Sequence, residues 1–255
     1  MSAPRPGSPR ALLACLVTAA CLWPIPARAY RPFDSTDAAV ADKGEIELEL
    51  GPVGFFRLGP ERALVAPSFI LNWGIADGWE AVLEGRNTVQ VGSNATEPHV
   101  RLEDTALNLK GVLREGSLQG RGGVSVASEV GVLLPTINGE PGAGGQATLI
   151  LSQRWEPVTI HLNGRLAWTR AHALGRFGGL IAEGPHAWSL RPVVEVFLER
   201  EDGGPITRSG LVGAIWRIRE GLSLDAGLRV ARVGADGLFE VRAGLTWAFP
   251  VGASR

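Results

Sequence analysis

Along residues 158–169, VTIHLNGRLAWT, Val158, Ile160, Leu162, Leu166 and Trp168 fall on one parity. Thr159, His161, Asn163, Arg165 and Thr169 fall on the other. Successive side chains of a strand point to opposite faces, so the segment predicts a strand with one oily and one hydrophilic face. Three settings fit such a strand: a soluble sandwich, a metal or catalytic site around His161, or a bilayer with lipid outside and water inside.

The same alternation recurs at strand length between turn-forming residues. It predicts strands over 44–50, 65–73, 79–89, 105–114, 123–134, 146–155, 158–169, 188–198, 211–218, 222–230 and 238–249. An up-and-down meander that closes with both ends on one side needs an even number. LGRFGGLIAE (174–183), weakly patterned within what otherwise reads as a long loop, supplies the twelfth. Tryptophan positions test the count. With twelve strands, Trp73, Trp79, Trp155, Trp188, Trp216 and Trp247 all fall near one rim and on the apolar parity, as an aromatic girdle requires. Eleven strands would move Trp188, Trp216 and Trp247 to the opposite rim. Connections on the tryptophan side (IADG, EP, GPHA, REG) are mostly short, and those opposite include VGSNATEPHVRLED and PTINGEPGAGGQ.

The first residues change the picture of where this meander lives. MSAPRPGSPR is basic, ALLACLVTAACLWPIP is apolar, and ARA at 27–29 supplies small residues before a cut. This is the layout of a secretory signal peptide at 1–29, with cleavage expected between Ala29 and Tyr30. Both cysteines, Cys15 and Cys21, lie in that leader, which removes disulfides and thiolate chemistry from the mature chain. LLAC and TAAC are poor lipidation boxes, because the apolar run before Cys15 is short and TAAC lacks a branched aliphatic residue. Net charge is −1 with scattered basic residues, which argues against a nucleic-acid partner. No run of eighteen apolar residues follows residue 30, so a bilayer would be crossed by strands.

Alternation alone also suits a soluble sandwich. Two features favour the membrane: the polar parity carries arginine and glutamate but few lysines, and the apolar parity carries tryptophan at strand ends with aliphatic residues between. In hydrocarbon every backbone polar group must be paired, which strands achieve only by closing. The expected fold is an all-β, antiparallel up-and-down transmembrane barrel over 44–249 in the outer membrane of a diderm bacterium. Residues 30–43 form a segment in the lumen or at the periplasmic side, and 250–255 form a tail.

VTIHLNGRLAW, WSLRPVVEVFLERE and the closing GLVGAIWRIREGLSLDAGLRVARVGADGLFEVRAGLTWAF, with the opening RPFDSTDAAVADKGEIELELGP, resemble the outer-membrane family of the meta-pathway of phenol degradation. The resemblance spans most of the mature chain and rests on strand patterns, not on a chemical signature. It implies a small transporter-like barrel that passes small solutes, aromatic or hydrophobic ones among them, with outer-membrane lipid and the barrel-assembly machinery as partners. The chain departs from barrel habit by continuing past Phe249 with PVGASR.

The inward parity gathers the pore-lining candidates: Glu80, Glu84, Arg86, Lys110, Arg114, Glu129, Arg154, His161, Asn163, Arg165, Arg191, Glu195, Asp225, Arg229, Glu240 and Arg242. A charged constriction would select solutes by field and size. The plainer reading is a cross-strand ion-pair lattice filling a narrow bore. No catalytic, cofactor or metal site is expected. His99, His172 and His186 fall in loops, so no histidine spacing assembles a metal set. NGEPGAGGQ lacks the lysine of a phosphate loop, Glu45, Glu47 and Glu49 read as like charges facing arginines, and no glutamate pair has a fixed glycosidase separation. A twelve-stranded phospholipase needs a lipid-facing serine beside its histidine, and no outward serine lies two residues from any histidine. A non-conducting structural or adhesive barrel is the competing class.

Overall fold

The computed structural model describes residues 31–92 and 99–251. The expected leader with its cleavage point, residues 93–98 of the upper connection and the last four residues lie outside the described residues.

Among the described residues twelve strands follow one another: β1 (Glu45–Leu58), β2 (Glu61–Ala76), β3 (Trp79–Gln90), β4 (Val100–Arg114), β5 (Ser125–Leu133), β6 (Gly144–Arg154), β7 (Thr159–Trp168), β8 (Leu174–Glu183), β9 (Leu190–Glu201), β10 (Ile206–Arg219), β11 (Leu222–Val233) and β12 (Asp236–Pro250). Each pairs antiparallel with its neighbours in the chain, and β12 pairs with β1 from Glu45↔Pro250 to Leu58↔Leu238. The sheet is therefore a closed barrel without an exposed edge.

Several strands run beyond their expected bounds, β4 starting at Val100 and β10 at Ile206, and three elements, β1, β2 and β8, depart in parity as well. β1 and β2 run well past 50 and before 65, joined by a tight turn at Gly59 and Pro60. The register shifts between Leu50 and Val53 on β1 and between Val65 and Ser68 on β2, and each shift flips the parity that the pattern relies on. β8 spans 174–183 as expected, but Phe177 and Ile181 face in while Arg176 faces out. That inversion is why its pattern reads weakly.

The two faces reverse the order of a soluble protein. Outward Val230, Leu166 and Val212 are 64%, 59% and 59% exposed, whereas inward Glu49 is 0% and Glu195 1% exposed. Trp73, Trp188, Trp216 and Trp247 are all exposed and sit at the lower end of the barrel, the end that holds Glu45 and Pro250. Not all inward positions are polar, however. Val193 and Ile215 are buried inside with Phe33 packed against them, and Ile150, Ala127 and Leu118 bury Ala38 and Ala39.

Candidate functional site: a belted bore

Those two apolar clusters exist because the chain ahead of β1 lies inside the barrel. Residues 31–43 hydrogen-bond to one strand after another around the wall. The Ala41 N–H donates to Glu80 on β3 at 2.6 Å, and Asp37 lies 3.7 Å from Lys110 on β4. Next, the Ala38 N–H donates to Ser152 Oγ on β6, and Thr36 exchanges two hydrogen bonds with the Asn163 side chain on β7 at 2.9 and 2.8 Å. The Asp34 and Ser35 N–H groups both donate to the Glu195 carboxylate on β9, at 3.0 and 2.7 Å. Asp34 then pairs with Arg242 on β12 at 3.0 Å, which also donates to the Pro32 carbonyl. The circuit returns to β1 and β2, where the Arg31 N–H donates to Glu49 and its guanidinium donates to Ser68.

Length permits one full turn. Twelve strands about 4.8 Å apart and tilted about 40° give a wall radius of roughly 12 Å, so a ring about 5 Å inside it measures roughly 44 Å. The segment 31–43, at about 3.3 Å per residue, reaches roughly 43 Å. It is a belt against the wall. Gly179 on β8 makes its seat, since a Cβ there would collide with Ser35 Oγ.

Side chains that hold the belt are themselves held across strands. Arg229 bridges Glu240 at 3.2 Å and donates to Ser209, and Arg242 reaches Glu240 at 2.8 Å. Lys110 lies 3.2 Å from Glu80. Ser152 Oγ lies 2.8 Å from His161 Nδ1, His161 Nε2 lies 3.2 Å from Glu183, and Arg191 lies 3.3 Å from the other Glu183 oxygen. Burial alone would raise the Asp34 carboxyl, but the Arg242 and Arg229 guanidiniums outweigh it and hold it at about 2.

A cavity of about 760 Å³ runs between belt and wall, from Asp42 and Glu45 at the lower end to Val233 and Leu238 at the upper. Of the candidates, Glu80, Glu84, Arg86, Lys110, Glu129, Asn163, Arg165, Arg229, Glu240 and Arg242 line it. The other six do not. His161, Arg191, Glu195 and Asp225 are buried at the belt, where Asp225 lies 3.7 Å from Arg31, and Arg114 and Arg154 end β4 and β6 at the lower rim. Phe33, Phe56, Phe177 and Phe197 add rings to the lining, Arg165 sitting 4.6 Å over Phe177 and Arg229 4.8 Å over Phe197.

Reasoning along one strand missed Ser152 as the partner of His161, because the two face each other across the β6–β7 ladder. Serine, histidine and glutamate in line invite a hydrolytic reading. Ser152 is 1% exposed beneath Ala38, whose N–H occupies its oxygen, so the hydroxyl is presented to neither solvent nor an outer surface. Its place is in the belt's support. Among the described residues no group of three His, Cys, Asp or Glu is set to hold a metal ion.

Fold and site together define a closed twelve-stranded barrel with an apolar exterior, a charged bore and an internal N-terminal belt. No family model and no curated protein matches the chain. Among solved structures it is similar to an outer membrane channel from Pseudomonas putida F1, at 12% identity and a TM-score of 0.59, covering 85% of this chain and 99% of that one. It is also similar to the KdgM porin solved with disordered oligogalacturonate, at 11% identity and a TM-score of 0.52, covering 80% and 99%. At such identities the likeness is one of fold.

Proposed function

We propose that the protein is an outer-membrane channel for passive passage of small solutes, made with a cleaved leader and folded into the bilayer. The observation that carries this reading is the inversion of its surfaces. Aliphatic side chains cover the outer wall from the lower tryptophans upward, and ionised groups enclose a cavity of about 760 Å³. Such an exterior is stable against acyl chains and would aggregate in water. Tryptophans at the lower rim then form the girdle at the headgroup level. The fold similarity to two channels is consistent with this role.

Acting as lining, Glu84, Glu129, Arg86, Arg165, Arg229 and Arg242 set the field along the path, and Phe33, Phe56, Phe177 and Phe197 give it an apolar side. That mixture suits small amphipathic solutes, and the resemblance to the phenol-degradation family implies small solutes with aromatic or hydrophobic ones among them. Bilayer lipid and the barrel-assembly machinery are the partners that this location entails.

A sealed barrel is the second reading, favoured by the belt's complete circuit at the lower end. Planar-bilayer recording of the purified protein separates the two. Discrete openings, with liposome swelling by small aromatic acids, support the channel. A silent bilayer with no swelling supports the sealed form.

A further inference from the structure

Six arginines occupy outward positions near the upper end, Arg176 and Arg200 also bordering the upper mouth of the cavity, and the register sets them directly opposite one another as Arg57↔Arg62, Arg176↔Arg200 and Arg208↔Arg232. All six are exposed. Like charges placed directly opposite on one face of a sheet repel, their Cβ atoms being about 4.5–5.5 Å apart. One such pair could be tolerated as chance; three at one end of one face require a compensating charge. Protein anions supply little of it. Asp202 pairs with Arg176 and acts on Arg200 only at longer range, while Arg57, Arg62, Arg200, Arg208 and Arg232 form no ion pair among the described residues.

The height of the arginines says where the missing charge lies. On β10 the outward positions between Arg208 and Trp216 are Gly210, Val212 and Ala214, and on β11 those below Arg232 are Val230, Leu228, Ala226 and Leu224. Eight residues at about 3.3 Å, tilted about 40°, place Arg208 roughly 20 Å above Trp216, close to the height of an apolar transmembrane band. The arginines thus stand at the opposite edge of that band, on strands β8 to β11 and again on β1 and β2.

The geometry points to a binding site for the phosphate groups of a phosphorylated glycolipid in the leaflet that meets the upper end. This inference rests on the membrane placement proposed above. Paired guanidiniums match phosphate oxygens in a forked, charge-assisted geometry, which turns the repulsion within each pair into joint attraction for one dianion. Below each pair, aliphatic side chains offer a surface for the acyl chains of the same molecule. A free anion would use only the guanidiniums, so the apolar wall beneath favours the lipid.

The test compares the full mature protein with the triple variant Arg62→Gln, Arg200→Gln and Arg208→Gln, which removes one member of every pair. Both are reconstituted in zwitterionic phosphatidylcholine nanodiscs alone or with diphosphorylated lipid A, its dephosphorylated form, or inorganic phosphate. Barrel unfolding is read by heat-modifiable gel migration and retained lipid by native mass spectrometry. The wild type is expected to retain diphosphorylated lipid A and to unfold at higher temperature with it. The variant should retain at least tenfold less and gain no such shift, yet be no less stable than wild type in phosphatidylcholine alone. Equal retention by both proteins, equal retention of the dephosphorylated lipid, or an equal shift with inorganic phosphate would overturn the inference. Insertion with indifferent lipid binding overturns it alone, whereas failure of the wild type to insert overturns the membrane placement as well.

Discussion

Replacing Asn163 and Glu195 with alanine together should free the middle of the belt. Glu195 accepts the Asp34 and Ser35 N–H groups, and Asn163 exchanges two hydrogen bonds with Thr36. Bonds to a charged group contribute about 1.5–3 kcal/mol each and neutral ones about 0.5–1.5, so the lower ends of both ranges already total about 4 kcal/mol. At about 1.4 kcal/mol per decade, the undocked population rises roughly a thousandfold. Ser35→Cys provides the probe. Ser35 is 7% exposed, so a thiol in its place is shielded while the belt is docked. The two native cysteines precede the mature start proposed at Tyr30, which leaves the probe thiol alone in the mature chain. When opening is fast relative to labelling, the maleimide rate scales with the undocked fraction. The double variant should therefore label up to about a thousandfold faster than the Ser35→Cys protein, with a matching rise in open-channel current. A change below about tenfold would refute the claim that these bonds hold the belt.

Further outcomes rest on the same contacts. Gly179→Val should dislodge Ser35 and speed the same labelling, leaving heat-modifiable migration intact, because the strand face outside is untouched. Asp34 holds its charge to about pH 2 because its arginines outweigh burial, so its folded value lies below the ordinary carboxylate value of 3.8. A depressed carboxylate contributes stability above its unfolded pKa that is lost as pH falls through the folded one, so the share of belt protection due to Asp34, read as the difference from Asp34→Asn in quenched labelling, should stay flat from pH 7 to about pH 4 and vanish towards pH 2. Leu228→Arg, half-way up the outer wall, should cost about 2–4 kcal/mol of barrel stability in lipid, measured by unfolding in urea.

Legibility of the structure in the sequence followed the reach of its physics. Strand parity is local, so Leu162, Leu166 and Trp168 declare an outer face and Thr159, His161 and Asn163 an inner one without knowledge of any partner. It fails where the backbone breaks step, as at Gly51 and Pro52 between the two registers of β1. Sequence parity also fails where a residue inside has another partner than water. Ile215 and Val193 would be misplaced in a water-filled bore; they face inward because Phe33 covers them. The belt itself has no period to read. Its order comes from Glu195, Asn163, Ser152 and Glu80, more than thirty residues away along the chain, accepting backbone N–H groups of an irregular segment. Among the candidates, the same charge that reads as lining serves the cavity at Glu84 and the belt at Glu195. Only the path of residues 31–43 separates the two uses.

Nitroxide scanning of β11 in lipid vesicles tests the central claim most directly. Labels at 224, 226, 228 and 230 should be accessible to oxygen and shielded from a water-soluble nickel chelate, and labels at 223, 225, 227 and 229 should be largely shielded from both. Equal oxygen access on the two parities, or full chelate access at 228, would mean that the aliphatic wall meets water and not acyl chains.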